Sequence, residues 1–237
     1  MSGSGETKGW ARVTAPTRRL AGWSPADLRR WPGRSAAAVQ LRADVIVPTV
    51  PNDLSGLVGG PDIHWDGLIA YIAVNRGWID GVVVEGEDPT ADPDLTSLLA
   101  ALAEAGVPVR LLSDGMRPGV LVHAIAEQLV ASVSVEVPTV ADRMAEVKGR
   151  SDAADRLARS VETLVASGLD HDFRTRVGDD VGLLELPELA AGLRGGRLYA
   201  LEPGGALGAV SDNEIAELRA AARACCVSLP TIVRDAG

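Results

Sequence analysis

Short strand-like runs alternate with helical periodicity along most of this chain. Six runs of five or six residues are largely β-branched or apolar: residues 36–41, 81–85, 108–112, 132–137, 172–177 and 197–201. Strands of this kind are typical of a parallel sheet that helices cover. Because six units are too few for a closed eight-stranded barrel, the pattern predicts an α/β fold with a curved six-stranded parallel sheet, a partial (β/α)6 barrel. Ligands of such folds bind at the carboxyl ends of the strands.

Helical stretches lie between most of these runs. Four of them are predicted over residues 65–76, 96–105, 118–130 and 151–167, and a fifth begins after residue 210. Ser151 is placed to cap the fourth helix, and Gly168 is placed to end it. Ser211 and Glu214 have the spacing of a capping box, which predicts the start of the last helix.

The chain divides into a short arm and one domain. Residues 1–20 show no regular period and are rich in basic side chains, so they predict a flexible basic arm. The composition is 46% apolar and 23% charged, which suits a sizeable core, and residues 21–237 are predicted to form a single domain.

Charge and hydropathy argue against two classes of binding partner, nucleic acids and membranes. Residues 1–35 carry a net charge of +5, whereas the whole chain carries −9, so the domain itself is acidic. An acidic surface disfavours nucleic acid, because neutralising phosphates supplies most of that affinity. No apolar run is long enough to span a membrane, and no leader pattern precedes the domain. We therefore expect a cytoplasmic protein that binds neither nucleic acid nor membrane.

Neither cysteine nor histidine forms a recognisable catalytic or metal-binding pattern. Cys225 and Cys226 are adjacent and are the only cysteines, which excludes a disulfide framework. The three histidines, at positions 64, 123 and 171, are scattered, and no nucleophile elbow is present. No metal ligand is expected from these residues, and the catalytic residues are unknown.

Four carboxylates are predicted at the carboxyl ends of neighbouring strands, namely Glu85, Glu87, Asp88 and Asp114. Grouped acids in a cleft shift one another's pKa values and can act as acid and base, or they can bind a hard cation such as Mg²⁺. The alternative interpretation is a solvated acidic rim with no chemistry. The sequence leaves both open.

Several motifs follow one another in a fixed order. Trp-Pro-Gly at 31–33 leads into the first strand, Gly-Glu-Asp-Pro-Thr at 86–90 follows the second, and Ser-Asp-Gly at 113–115 follows the third. Glu-Val-Pro at 136–138 and Phe-Arg-Thr-Arg-Val at 173–177 belong to later strands. This order resembles that of the activating enzymes of anaerobic ribonucleotide reductase and pyruvate formate-lyase, which are radical S-adenosylmethionine enzymes. The resemblance implies that the partial barrel is of the radical S-adenosylmethionine type.

Residues 42–52 lie where such enzymes carry a loop of three cysteines that holds a [4Fe–4S] cluster. Here the loop reads Arg-Ala-Asp-Val-Ile-Val-Pro-Thr-Val-Pro-Asn, and the cysteine positions fall on Ala43, Val47 and Val50. Clusters of this kind are held by thiolates, and alanine and valine have no donor atom for iron. The expected protein is therefore a degenerate family member without an iron–sulfur cluster.

The resemblance also implies a cofactor site. S-adenosylmethionine is the candidate cofactor, and the positions that match the family's binding residues are Gly86, Glu87, Asp88, Pro89, Asp114, Glu136 and Arg174. Three positions depart from the family pattern. Glu87 replaces a glycine that lets backbone approach the cofactor, Asp114 replaces an asparagine, and Pro138 replaces a lysine.

These expectations leave more than one function open. The first is a pseudoenzyme in a bacterial pathway that binds a small molecule or a protein partner. The second is a cluster-independent enzyme that acts on S-adenosylmethionine or another nucleotide through the acidic cleft. The third is pairing with a cluster-bearing homologue in a heterodimer.

Overall fold

The computed structural model describes residues 22–41, 65–86, 88–178, 181–204 and 211–234. The predicted basic arm at 1–20 and the loop at 42–52 lie outside the described residues. None of the helices in these ranges has both the length and the apolar character that crossing a membrane requires.

Eight strands and seven helices follow one another in the described ranges. The strands are β1 (Gly22–Asp27), β2 (Ala36–Gln40), β3 (Gly81–Glu85), β4 (Val109–Ser113), β5 (Ser132–Glu136), β6 (Asp170–Val177), β7 (Tyr199–Pro203) and β8 (Thr231–Val233). The helices are α1 (Trp65–Val74), α2 (Leu95–Glu104), α3 (Pro118–Ala126), α4 (Ala141–Lys148), α5 (Ala153–Ser167), α6 (Leu186–Gly192) and α7 (Asp212–Cys225). A single 3₁₀ turn, Pro89–Ala91, precedes α2.

The strands form one sheet in sequential order, β1 to β8. β1 pairs antiparallel with β2, and every later pair is parallel. Parallel strands joined in sequence by right-handed crossovers place all their helices on the same side of the sheet. The fold is therefore α/β with an eight-stranded, mostly parallel sheet.

The six predicted strands correspond to β2–β7, with each end within two residues of its predicted position. The prediction of a six-stranded sheet was short by two strands, one at each edge. β1 contains a serine–proline pair and lies at the antiparallel edge, where a proline needs no ladder partner. β8 is three residues long, too short to produce an alternating pattern.

The predicted helix ends agree with the structure in part. The capping box forms as expected, with the Ser211 hydroxyl accepting from the Glu214 amide at 3.2 Å and the Ser211 amide donating to the Glu214 carboxylate at 2.8 Å. Gly168 ends α5 in the left-handed conformation, φ 69°. Ser151 was wrong as the cap, because the residue before α5 is Asp152.

Alternate residues of each strand point to opposite faces of the sheet. One set packs with the helices in a single apolar cluster that includes Val84, Leu111, Val135, Phe173 and Leu201 from the strands and Leu98, Leu121, Leu164, Leu186 and Leu218 from the helices. We call this the helix face. Polar members of the other set include Gln40, Glu85, Arg110, Ser132, Ser134, Glu136, Asp172, Arg174, Arg176, Glu202 and Arg234, and we call their side the polar face.

Trp31 closes part of the polar face. It is 3% exposed and forms a second, smaller apolar cluster with Ala36, Ala38, Val83 and Leu112. Trp31 is a core residue, whereas Trp78 is 83% exposed.

Tyr199 on β7 begins a chain of buried hydrogen bonds on the helix face. Its hydroxyl donates to the Thr175 hydroxyl at 2.7 Å, and Thr175 donates to the carbonyl oxygen of Val137 at 2.8 Å. Burial raises the pKa of the Tyr199 phenol well above its ordinary value, and the bond to Thr175 offsets only part of that rise. The chain links β5, β6 and β7 through side chains as well as through the ladder.

This burial makes the stability of the fold sensitive to alkaline pH. Because the pKa of Tyr199 is higher in the folded state, its contribution is complete below the unfolded value of about 10 and is lost as the pH rises above it. We expect the free energy of unfolding to fall less steeply between about pH 9 and pH 11 in Tyr199→Phe than in the wild type. Urea unfolding across this range measures the slopes, with Tyr71→Phe as the matched control. Equal slopes for the wild type and Tyr199→Phe would contradict the assignment.

Candidate functional site

The residues predicted to bind a cofactor follow or end strands at one edge of the sheet. Gly86, Asp88 and Pro89 follow β3, Asp114 follows β4, and Glu136 ends β5. Arg174 lies in register with Glu136 on β6. Since the carboxyl ends of parallel strands share one edge, the fold brings these six positions to the same side of the sheet. Glu87, the seventh, lies outside the described residues.

Gly86 is required by the packing of the backbone at this edge. Its φ is +150°, and a Cβ atom there would lie 2.6 Å from the carbonyl oxygen of Leu41. The Leu41 amide in turn donates to the carbonyl oxygen of Glu85 at 2.9 Å. The glycine therefore lets the chain leaving β2 pass close to the end of β3.

Asp88 is engaged by groups of the protein itself. One carboxylate oxygen accepts hydrogen bonds from the backbone amide of Thr90, at 3.1 Å, and from the Thr90 hydroxyl. The other carboxylate oxygen accepts from the Arg117 guanidinium at 3.3 Å. Asp88 thereby caps the 3₁₀ turn that begins at Pro89 and ties it to the start of α3.

Asp114 has the same kind of environment. One oxygen accepts from the backbone amide of Met116 at 2.9 Å, and the other accepts from the Lys148 ammonium at 3.1 Å. Only 12% of the Asp114 side chain is exposed. The carboxylate therefore holds the turn after β4 and fixes the end of α4.

Glu85, like Asp88 and Asp114, forms an ion pair with a basic side chain. It accepts from the Arg30 Nε at 3.1 Å, so each described carboxylate of the predicted acidic cleft has a basic partner. In the part of the chain that the structure describes, no three histidine, cysteine or acidic side chains come together as a metal site would need. The edge is a set of ion pairs rather than a cluster of free acids.

Glu136 and Arg174 are held more loosely than these pairs. Their closest charged atoms are 3.9 Å apart, beyond hydrogen-bond distance. The Arg174 side chain is 19% exposed, and its Nε is buried with no hydrogen-bond partner among the residues that the structure describes. Of the predicted site residues, this arginine has the most unused donor capacity.

A buried ion network lies beneath this edge on the polar face. Asp172 on β6 accepts from the Arg110 guanidinium of β4 at 2.5 Å and from the Arg234 guanidinium after β8 at 2.9 Å. Ser132 accepts from Arg110 at 2.9 Å, and Ser134 donates to Asp172 at 3.3 Å. The Arg110 and Asp172 side chains are each 4% exposed.

Burial lowers the pKa of Arg110, the nearby Asp172 carboxylate opposes that effect, and the positive charges of Arg234 and Arg174 add to the lowering. Arg174 therefore lies close enough to this network to repel it. Arg110 and Arg234 are not among the site residues predicted from the sequence. A usable signal was present, since Arg110 is a charge inside the otherwise apolar strand Val-Arg-Leu-Leu-Ser.

Comparisons with known proteins bear only on the fold. No family model matches the chain, and no curated protein matches it. Among solved structures, the chain is similar to the crystal structure of SuiB from Streptococcus suis, with a TM-score of 0.53 and 13% identity over 72% of this chain. This chain spans 42% of the SuiB chain. At that identity the likeness shows the α/β fold alone.

The buried ion network should contribute strongly to the stability of the fold. Asp172→Asn removes the charge that the buried Arg110 and the half-buried Arg234 share, and we expect it to lower the free energy of unfolding by about 3 kcal/mol or more. Glu162→Gln is the matched control, because Glu162 is exposed on α5 and the change removes the same charge. Its expected effect is within about 0.5 kcal/mol. Urea denaturation of both variants measures the difference, and an equal midpoint for Asp172→Asn and the wild type would refute a stabilising role.

Proposed function

We propose that this protein is a degenerate, radical S-adenosylmethionine-like partial barrel that carries no [4Fe–4S] cluster and binds a small molecule at the carboxyl edge of its sheet. The sequential parallel order of β2–β8, with helices on one side, supports the partial-barrel part of the proposal. The order of motifs along the sequence supports the family relationship. Ala43, Val47 and Val50 at the three cysteine positions support the absence of a cluster.

One observation carries the choice of binding over catalysis. Asp88 and Asp114, the acids best placed for proton transfer, are each engaged by a backbone amide and a basic side chain. A carboxylate held in an ion pair with its other oxygen capping a turn is poorly placed to exchange protons with a substrate. The same groups give the edge a fixed shape, which favours a binding site.

The cluster-independent enzyme is the weaker alternative. It requires an acid or base that is free at the edge, and the engagement of Asp88 and Asp114 counts against it. Chemistry on a sulfonium depends more on positioning and electrostatic support than on proton transfer, so turnover of S-adenosylmethionine is the observation that would favour it.

Calorimetric titration with S-adenosylmethionine, S-adenosylhomocysteine and nucleotides tests the proposal. We expect saturable binding of at least one of them, with no cleavage of S-adenosylmethionine under reducing anaerobic conditions. Glu136→Gln should weaken that binding by about tenfold if the edge of β5 lines the site, and Glu162→Gln on the exposed face of α5 should leave it unchanged.

Anaerobic reconstitution with iron and sulfide tests the other half of the proposal. We expect no stoichiometric cluster, as measured by iron content and visible absorbance. Four iron atoms per chain, or formation of 5′-deoxyadenosine, would overturn it. Absence of binding to every ligand in the titration would remove the small-molecule part.

A protein partner is the second candidate function, and one surface favours it. Val74 ends α1 and Trp78 lies in the turn that follows, and the two side chains are 84% and 83% exposed. Exposed tryptophan and aliphatic side chains are a feature of interaction surfaces. Under this candidate the partner is a cluster-bearing homologue of the chain.

Mixing the chain with such a homologue tests this candidate. Analytical ultracentrifugation should then show a heterodimer that Trp78→Ser weakens and Leu184→Ser does not, because Leu184 is equally exposed elsewhere on the chain. Two separate monomers at micromolar concentration would exclude it.

A further inference from the structure

Arg174 has an unusual deficit of partners for an arginine that is mostly buried. Its side chain is 19% exposed, its Nε is inaccessible to solvent, and its one ion pair with a described residue is the 3.9 Å contact with Glu136. Its side chain makes no hydrogen bond to any described residue. A guanidinium has five N–H donors, and a buried one is normally hydrogen-bonded. Arg110 and Arg234 on the same face also have a buried Nε without a partner, but their terminal nitrogens donate to Asp172, and Arg110 also donates to Ser132. Arg174 differs because its terminal nitrogens make no hydrogen bond to a described residue.

Arg176 is a second arginine at this edge whose guanidinium has no acidic partner among the described residues. It lies two residues after Arg174, so both side chains point to the polar face. It is exposed and has no ion pair within the described ranges. Its register neighbour Glu202 faces Arg234 instead, at 3.8 Å.

The space beside Arg176 is kept open by a glycine. A Cβ atom on Gly204 would lie 3.0 Å from the Cγ of Arg176 and 2.9 Å from the carbonyl oxygen of Val177. The Gly204 amide donates to that same carbonyl at 2.6 Å, which holds the ends of β6 and β7 together. Side chains of any size at position 204 would crowd the arginine.

The local charge at this edge is opposite to that of the whole protein. Among the described residues here, four arginines (Arg110, Arg174, Arg176 and Arg234) lie with three acids (Glu136, Asp172 and Glu202), which leaves one positive charge in excess, whereas the chain carries −9. The guanidinium groups also repel one another near Arg110. An anion at this edge would accept hydrogen bonds from the guanidinium N–H groups that remain accessible and would reduce that repulsion.

We infer that Arg174 and Arg176 bind the phosphate group of a small-molecule ligand. Residues two apart on a strand are about 6.6 Å apart, so an anion between them must present acceptors in two directions. The tetrahedral oxygens of a phosphate do this, whereas the planar oxygens of a carboxylate suit a single guanidinium. The inference rests on the proposed function, because it names the ligand class of the same edge.

Titration of the full chain with inorganic phosphate tests the inference, by calorimetry and by ³¹P line broadening at constant ionic strength. We expect saturable binding with one phosphate per chain. Arg176→Gln should weaken it by about tenfold or more, and Arg174→Gln should do the same. Arg159→Gln on α5 is the matched control, since Arg159 is exposed and the change removes the same charge without touching the edge.

Each outcome decides the inference. Arg176 is exposed, so its variant is expected to fold even where Arg174→Gln does not, and circular dichroism checks both. Equal affinity of Arg176→Gln and the wild type, no saturable phosphate binding, or equally tight binding of acetate would overturn the inference.

The test also separates this inference from the proposed function. S-adenosylmethionine carries no phosphate. If it binds while inorganic phosphate does not, the inference fails and the proposed function stands. If phosphate binds through Arg176 and neither S-adenosylmethionine nor S-adenosylhomocysteine binds, the inference stands and those two molecules are excluded as the ligand.

Discussion

The sharing of Asp172 between two arginines is the interaction on which the polar face of the sheet depends. The helices cover one face with apolar side chains, but the other face has charges at its centre. Arg110, Asp172 and Arg234 come from β4, β6 and the residue after β8, so their pairing fixes strands that are not neighbours. β8 has only three residues in the ladder, and the Arg234 contact adds a side-chain anchor where the backbone pairing is short. Buried charges of this kind are tolerated only when each has its partner.

The same rule explains the character of the candidate site. The sequence predicted four carboxylates at the carboxyl edge, either as a reactive cluster or as a solvated rim, and three of them, Glu85, Asp88 and Asp114, are described by the structure. Their partners Arg30, Arg117 and Lys148 lie elsewhere in the chain, and no spacing rule connects them to these acids. Because the described acids Glu85, Asp88 and Asp114 each have a basic partner, the hydrogen-bonding groups still without partners at this edge are the guanidinium donors of Arg174 and Arg176. An edge that seemed acidic in the sequence therefore favours an anionic ligand.

Much of the sheet was predictable because its signal is local. β2–β7 are apolar or β-branched runs with turn residues between them, and the capping box before α7 is readable from two residues. The elements that were missed have weak local signals. β1 contains a proline and β8 is very short, while α4 has a mostly polar sequence with Met144 as its buried residue. Their conformations are set by what they pack or pair against rather than by their own composition.

By itself the sequence determined the order of β2–β7 and of five of the helices, the parallel character of those strands and the positions that meet at their carboxyl edge, because periodicity and chain order are local or sequential properties. It also determined that no thiolate is present at positions 43, 47 and 50. The tertiary structure alone decided which charges are paired. Asp172 meets Arg110 across 62 residues, and Asp88 meets Arg117 across 29. Such distances in sequence leave no periodic trace, so only the folded sheet shows that the acids are engaged and that Arg174 is not.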